Sequence, residues 1–429
     1  MVISKKKKIE DIKKIKKGIK KPKAKKAVIK KNKSIFKKIF FVKKKITKIT
    51  KKKVASRAAV RKGGKKLIKP IYKKIVKKEK SIRLEKHSSN PILKPSMYSW
   101  ESQASFNPAA VLSNGKIHLF YRALGDDGIS RIGYASSTNG INFDTRLSYP
   151  VYVAQSYKEA QKHWPFTSPA RLVYDTDLYS SGGGWGGCED PRTVIINGVV
   201  YMTFNMFNGW SSMRVAVVSI KEENLTNKKW LWENFSYLSR GDRQKNWVLF
   251  PEKINGKFAL FYNLDKGDPE RVHIAYVNRL NTLETPSPQE ASDPQLLPDH
   301  EVAWHYRTRS AACPPVKTKD GWLLLYHAMD KNEPNRYKVG AMLLDLKDPQ
   351  KVKARSVHPI LEPEEWYEND GKPGIVYANG AVVKDGILFV YYGGGDKYIG
   401  VASIKLNELL EDLKSNRETK LKIKKAKIK

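Results

Sequence analysis

Apolar and polar residues follow one pattern that recurs five times along the chain after residue 100. In each copy an Asn-Gly or Asp-Gly pair is followed by an apolar, aromatic-rich run, such as KIHLFYRA, and is preceded by a shorter apolar run, such as PAAVL. An Asx-Gly pair supplies the two positive-φ residues of a type I′ turn, which joins two right-twisted strands tightly. Each copy therefore predicts a β-hairpin. The turn pairs are Asn114-Gly115, Asn197-Gly198, Asn255-Gly256, Asp320-Gly321 and Asp385-Gly386.

A third strand-like run follows each hairpin: RIGYAS, RVAVVSI, RVHIAYV, KVGAMLL and YIGVASI. The steps between successive turn glycines are 83, 58, 65 and 65 residues, and no βαβ alternation interrupts them. Units of three to four strands at such spacing are typical of radial repetition. We therefore predict an all-β fold, a five-bladed β-propeller. A β-sandwich that contains five hairpins is the alternative.

Polar residues recur at one end of the predicted hairpins. The position six or seven residues after each turn glycine lies at the same end of equivalent strands, so in a propeller these positions converge on one mouth of the central channel. Small-molecule sites lie in such concave places. The five residues are Arg122, Asn205, Asn263, His327 and Tyr392.

The formal net charge of +40 is concentrated at the start of the chain. Residues 1–80 carry 36 Lys and Arg against 3 acidic residues, whereas the other 349 residues carry 46 against 39. We expect a basic low-complexity extension over 1–86, the propeller over 87–412 and a basic tail over 413–429. The extension, mostly disordered or helical, is either a solvated tail or an amphipathic segment that contacts an anionic membrane or nucleic acid by charge alone.

Only two cysteines occur, Cys188 and Cys313, without a metal-ligand pattern or a disulfide framework. This usage favours a reducing compartment, and we predict a cytoplasmic protein without a bound metal. The longest apolar run of the extension, Ile39–Val42, is too short for the core of a signal peptide.

The most unusual segment is the glycine-rich stretch 182–192. Its glycines allow close backbone approach to a ligand, and Trp185 offers a flat face on which a sugar ring can stack. Glu189 and Asp190 are adjacent carboxylates, followed by Arg192. Glycosidic cleavage needs a carboxyl that protonates the leaving oxygen, but only one of two neighbours in a strand faces a given side unless the strand bends. A surface salt bridge in a glycine-rich loop is the alternative.

Several strings together resemble glycoside hydrolase family 130. They are Phe106-Asn-Pro-Ala-Ala110, LFYRAL, SRIGYASSTNGINF, Glu189-Asp-Pro-Arg192, Lys245-Asn246 before LFPEK, CPPVKTKDGWLLLYHA, GAMLLDLKDP and VYYGGGD. They occur in consistent order over about residues 90–410, so the resemblance covers the body and excludes the extension.

The resemblance implies a five-bladed propeller that acts on β-mannosides with inversion, without a cofactor. It puts the general acid on Asp190, and inorganic phosphate is the co-substrate of most members. It puts sugar-binding residues on Asn107, Arg122 and Asp396. The local motif adds Glu189 and Arg192 to the expected substrate-binding residues, and the strand-end position adds Tyr392. The acceptor or phosphate side would comprise Lys245, Asn246, His327, Arg307 and Arg309.

The chain departs from the family where phosphate should bind. Two positions that usually carry cations are Asn263 and Thr308 here, and a dianion needs charge-assisted hydrogen bonds. We therefore expect a glycosidase that uses water, with Glu252 as a possible base. One alternative is a phosphate-dependent β-mannoside phosphorylase, that is, a glycosyltransferase that releases mannose 1-phosphate. The other is a non-catalytic glycan-binding propeller that its basic leader tethers to an anionic surface.

Overall fold

The structure is a computed structural model that describes residues 82–154, 184, 186–207, 213–240, 244–263, 272–285 and 303–415. The predicted extension up to residue 81, the tail beyond 415 and Trp185 lie outside the described residues. All described residues fall in one structural unit, Glu79–Lys429. Within them, no helix is long and apolar enough to cross a membrane.

The described body consists almost entirely of strands. Strands of the first half are β1 (Glu85–Lys86), β2 (Ala104–Ser113), β3 (Lys116–Leu124), β4 (Ile129–Ser137), β5 (Thr145–Arg146), β6 (Gly186–Ile196), β7 (Val199–Phe207), β8 (Arg214–Lys221), β9 (Glu233–Tyr237) and β10 (Val248–Ile254). Those of the second half are β11 (Lys257–Tyr262), β12 (His273–Val277), β13 (Arg307–Ala311), β14 (Val316–Lys317), β15 (Trp322–Met329), β16 (Tyr337–Leu344), β17 (Val352–Arg355), β18 (Val376–Lys384), β19 (Ile387–Gly394) and β20 (Tyr398–Lys405).

Helices are short and few among the described residues. They are the α-helices α1 (Glu222–Thr226) and α2 (406–415) and the 3-10 turns Ser99–Glu101, Ala303–His305 and Trp366–Glu368. The prediction of an all-β fold is therefore confirmed.

The strands form five antiparallel units, each built around one predicted hairpin. Unit one is β2-β3-β4-β5, unit two β6-β7-β8-β9, unit three β10-β11-β12, unit four β13 and β14 with β15-β16-β17, and unit five β18-β19-β20-β1. Units one and two join into one eight-stranded sheet through a short parallel contact between β4 and β6.

Four of the five predicted turns have positive φ at both central residues, from Asn114-Gly115 to Asp385-Gly386. The turn of unit four differs, because Asp320 is not in the positive-φ region and Gly321 has a φ of 152°. There the Thr318 hydroxyl donates to the Gly321 carbonyl at 2.7 Å and closes a longer loop. A side chain thus replaces the backbone geometry that an Asx-Gly pair normally supplies.

Apolar clusters join each unit to the next and unit five back to unit one. Alternate residues of the second strands face the two neighbouring units, as the period of two in a strand requires. Each cluster contains residues of two neighbouring units. From units one and two round to units five and one, examples are Phe120 with Phe204, Val217 with Leu260, Phe261 with Leu324, Leu325 with Val390, and Tyr391 with Leu119.

Residues just before the body's first hairpin complete unit five. Glu85 and Lys86 pair with Ser403 and Ala402 of β20. The Lys86 ammonium donates to the buried Glu368 carboxylate at 2.7 Å. The region that packs on the body therefore begins a few residues before the boundary predicted after residue 86.

Candidate active site

The site lies at the hairpin ends opposite the tight turns. The first strand of every unit has a register shift, and those of units one, two, four and five concern this end. A bulge adds a residue to one strand and redirects its side chains. The register shifts lie between Phe106 and Ala109 in β2, Glu189 and Arg192 in β6, Thr308 and Ser310 in β13, and Ala378 and Gly380 in β18.

The bulge in β6 brings both adjacent carboxylates onto one guanidinium. Arg122 donates from Nη2 to Glu189 Oε1 at 2.9 Å, and its Nη1 lies 3.6 Å from Asp190 Oδ1. Asp190 has a φ of 49°, a conformation that Asp and Asn tolerate better than most residues. Strand alternation alone allowed only one of the two carboxylates to face the site, and the bulge is the bend that removes this limit.

Arg122 is itself fixed from other sides. It is 2% exposed, donates from Nε to the Ser130 hydroxyl at 2.9 Å and packs its guanidinium over Phe106 at 4.7 Å from the ring centre. The cluster of one cation and two carboxylates is thus buried and held rigidly, as a preorganised binding site requires.

Asn107 lies in the equivalent bulge of β2 and points at Asp190. Its Nδ2 donates to Asp190 Oδ1 at 2.7 Å, whereas its Oδ1 is buried and accepts no hydrogen bond from a described residue. A Cβ on Gly393 would lie 2.0 Å from this Oδ1, so only glycine leaves room there. Asn379, in the bulge of β18, donates to the Asn107 carbonyl at 3.4 Å. Two bulges therefore meet at the Asp190 carboxyl group, and the third supports the backbone of Asn107.

Arg192 and His327 flank the aromatic ring of Tyr377. The His327 ring stacks on Tyr377 at 3.9 Å, and the Arg192 guanidinium lies 6.0 Å from the same ring. Ser310 Oγ shares a hydrogen bond of 3.1 Å with His327 Nδ1, which sets the orientation of the ring. Burial raises the pKa of the Tyr377 hydroxyl, so it stays protonated and can donate a hydrogen bond.

Asp396 is a buried carboxyl close to Asp190. Burial raises the pKa of Asp396, and the negative charge of Asp190 raises it further. The positive charge of Lys372, whose Nζ lies 3.8 Å from Asp396 Oδ2, acts in the opposite direction. Lys245 also acts on this carboxyl electrostatically, which brings Lys245 within range of the cluster.

Asn246 joins the site through Asn205, which pairs with Glu189 across β6 and β7. The Asn246 backbone N–H donates to Asn205 Oδ1 at 2.9 Å. Asn246 has a φ of 64°, so unit three repeats the backbone conformation of Asn107 and Asp190.

Two predicted residues lie elsewhere. Tyr392 is fully buried in the core between units four and five, and its hydroxyl bonds Tyr367 at 2.8 Å and Glu368 at 2.9 Å. Glu252 is 42% exposed and receives both of its hydrogen bonds of 2.7 Å from Lys317, so the expected base lies on the surface.

The remaining predicted residues are only partly placed. Arg307 begins β13 and is half-buried, and Arg309 lies within the bulge of that strand, but its side chain lies outside the described residues. The neighbouring Thr308 hydroxyl is buried and has no hydrogen-bond partner among the described residues.

Sequence reasoning missed Ser130, Ser310, Tyr377 and Asn379. All four depend on strand register rather than on a local motif, although Asn379-Gly380 matches Asn107-Pro108 in position within its unit. Among the described residues, no group of three His, Cys, Asp or Glu side chains is arranged to hold a metal ion.

Comparison with known proteins gives consistent matches. The profile of a glycoside hydrolase 130 family, described as beta-1,4-mannooligosaccharide phosphorylase, matches residues 174–415. A 1,2-beta-oligomannan phosphorylase of Thermoanaerobacter sp. (strain X514) is 36% identical over 76% of this chain and 99% of its own length. A beta-1,2-mannobiose phosphorylase of the same organism is 36% identical over 75% of this chain and 97% of its own length.

A solved structure extends the likeness to the fold. The beta-1,2-mannobiose phosphorylase of Listeria innocua has a TM-score of 0.57 and 24% identity, over 78% of this chain and 100% of that one. The expectation of hydrolysis finds no support in these relatives, which are phosphorylases, and the phosphorylase alternative fits them better.

Proposed function

The chain belongs to glycoside hydrolase family 130, and from this premise we propose that it is an inorganic-phosphate-dependent β-mannoside phosphorylase that releases mannose 1-phosphate. The proposed substrate is a β-1,2-linked manno-oligosaccharide, the chemistry in the names of both curated relatives.

The environment of Arg192 carries the proposal. Arg192 is 2% exposed, and its Nε and Nη1 donate to the carbonyls of Ala312 at 3.2 Å and Asp190 at 2.8 Å. Its Nη2 is buried and has no hydrogen-bond partner among the described residues. A buried cation is costly unless an anion compensates it, and guanidinium binds phosphate particularly well. Arg192, which shares the Tyr377 ring with His327, therefore supports a phosphate site despite the neutral Asn263 and Thr308.

Asp190 supplies the proton on the other side of the bond. Asn107 and Arg122 both approach Asp190 Oδ1, and no described residue hydrogen-bonds Oδ2, so Oδ2 is the oxygen proposed to carry the proton. As the bond from the mannosyl C1 to the leaving oxygen breaks, that oxygen takes the proton, directly or through a sugar hydroxyl. A phosphate oxygen forms the new bond to C1 from the opposite face, which inverts its configuration.

Water as acceptor would need a second carboxylate to act as base. Glu252 is engaged by Lys317 on the surface, Glu189 by Arg122 and Asp396 by Lys372. Phosphate is already an anionic nucleophile and needs no base. The distribution of these described carboxylates therefore favours phosphorolysis.

The experiment is to incubate the full chain with β-1,2- and β-1,4-mannobiose, each with and without inorganic phosphate. We expect α-mannose 1-phosphate, seen by phosphorus NMR, only when phosphate is present, and faster with the β-1,2 linkage. Free mannose formed without phosphate would mean hydrolysis. No product from either sugar would favour the non-catalytic glycan-binding propeller.

We also propose that the five units form a five-bladed propeller, with the catalytic domain over 87–412 completed by β1. The order of apolar clusters, from unit one to unit five and back to unit one, supports this arrangement. The contacts of the extension with an anionic membrane or nucleic acid, and the cytoplasmic location, stay predictions. Deletion of residues 1–81 should remove binding to polyanions and leave phosphorolysis unchanged.

A further inference from the structure

A second concave surface lies between residues 150–153, which follow β5, and the strands β8 and β9. It encloses about 510 Å³, a volume in the range of pockets that hold one or two sugar rings. Four aromatic side chains line it together with a carboxylate and a carboxamide. These residues are Tyr152, Trp230, Trp232, Phe235, Glu233 and Asn234, and we call this surface the outer pocket.

The indole rings of the outer pocket are fixed before any ligand binds. Trp230 and Trp232 pack edge-on against Phe120, at 6.1 Å and 87° and at 5.8 Å and 73°. Trp232 Nε1 also donates to the Val151 carbonyl at 2.9 Å. Rigid aromatic faces lose little conformational entropy on binding, so stacking of a ligand ring on them is cheap.

Polar groups at the outer pocket suit a ligand rich in hydroxyls. Trp230 Nε1 is buried and has no hydrogen-bond partner among the described residues, which is an uncommon state for a buried donor. The exposed Glu233 accepts hydrogen bonds and disfavours anionic ligands. Phe235 at the rim is 48% exposed, an unusual position for a large apolar side chain.

The outer pocket is separate from the candidate active site. It involves β8 and β9, whereas Glu189, Asp190 and Arg192 lie on β6, and the strand order is β6-β7-β8-β9. Neighbouring strands lie 4.7–4.9 Å apart, so β9 is roughly 14 Å from β6.

We propose that the outer pocket is a second binding site for a neutral manno-oligosaccharide, which holds one part of a long chain while another part occupies the active site. The proposal rests on the proposed function for the identity of the sugar. Aromatic faces bind the apolar faces of pyranose rings, and Glu233 and Asn234 bind their hydroxyls. A second attachment raises the local concentration of chain ends and lowers KM for long substrates only. A partner protein would instead need a larger, flatter surface of about 800 Å².

The test titrates the full chain calorimetrically with β-1,2-mannotetraose in phosphate-free buffer. We expect two sites in the unmodified chain and one in the variant Glu233→Gln/Phe235→Ala, which changes only rim side chains and preserves the core. Trp230→Phe keeps the ring but removes the N–H, and should weaken the second site about fivefold. Leu283→Ala, an 81% exposed apolar residue outside the pocket, is the control that should keep both sites.

Kinetics distinguish failure of this proposal from failure of the proposed function. The double variant should raise KM for a long β-1,2-oligomannan about fivefold and leave KM for mannobiose unchanged. If no sugar is phosphorolysed but the titration still loses one site, the outer pocket stands and the proposed function falls. A single site in the unmodified chain, an unchanged double variant, or a variant that alters only self-association in sedimentation would overturn the outer pocket.

Discussion

The two ends of the same hairpins use one backbone conformation for different purposes. Ten non-glycine residues of the described chain have positive φ, four of them in the type I′ turns and four at the candidate site. Turn residues such as Asn197 are exposed and followed by glycine, whereas site residues such as Asp190 are buried inside bulges. The local sequence is enough to set the first group, but the second is held by tertiary hydrogen bonds. Changes at the turn end should therefore alter stability alone, whereas changes at the site end should alter activity and, where they leave buried charges without a partner, stability as well.

Replacement of the proposed acid should have the largest effect. Asp190→Asn keeps the shape of the side chain but removes the proton, so mannose 1-phosphate formation should fall by about 10³-fold. Asp385→Asn is the matched control, because it makes the same change at a positive-φ turn position. Its rate should equal that of the unmodified chain. An active Asp190→Asn variant would contradict the assignment.

Loss of the site's central cation should be the largest stability effect. Arg122→Met leaves two buried carboxylates without their partner and should lower the free energy of unfolding by about 3–5 kcal/mol. Chemical denaturation measures this value. Lys317→Met breaks the exposed pair with Glu252 and should cost under about 1 kcal/mol. Similar costs for the two variants would mean that the buried cluster is not strongly coupled.

A smaller effect should appear on the phosphate side. Ser310→Ala removes the hydrogen bond to His327 Nδ1 and should raise KM for phosphate about tenfold, with kcat changed less, because ring orientation affects binding first. Ser239→Ala removes another buried hydroxyl, which accepts from the Val215 N–H, and should leave this KM unchanged. A change in kcat alone would argue against a phosphate role for His327.

At the turn end, stability should change without activity. Gly198 has a φ of 74° and no atoms crowd a Cβ there, so Gly198→Ala should cost about 1 kcal/mol through backbone strain alone. Gly198→Asn should cost less, because Asn tolerates this region. The kcat/KM of both variants should match the unmodified chain, and a drop would show that the two ends are not independent.

The smallest effect concerns the base expected from the sequence. Glu252→Gln should leave the rate unchanged and alter the free energy of unfolding by no more than about 0.5 kcal/mol, because its partner among the described residues is the exposed Lys317. Initial rates with mannobiose and phosphate measure it. A large loss of rate would restore Glu252 to the chemistry.

Much of the fold follows from the sequence because Asx-Gly turns and alternating runs act locally. The site was recoverable where a motif is local, as with Glu189-Asp190-Pro191-Arg192, and was missed where bulges decide. Tyr392 is an error of one position. Tyr392 lies six residues after its turn glycine. A count of seven, as in units one to three, reaches Gly393, which lies beside Asn107. A shift of one residue along a strand turns the side chain to the opposite face. The expectation of hydrolysis rested on the number of cations in the sequence, which does not reveal that Arg192 is buried without an acidic partner among the described residues.

The apolar contact between units five and one also determines when the protein can finish folding. Leu119 and Tyr121 meet Val382 and Tyr391, partners that lie more than 250 positions later in the chain. At a synthesis rate of 5–20 residues per second, this face of unit one waits on the order of 10 to 50 s for its cover. Units two to four can pack in order as they emerge, but the first unit remains half covered. Nascent chains are therefore most vulnerable to aggregation at unit one, the first of the five units to be made, and slower translation lengthens that exposure.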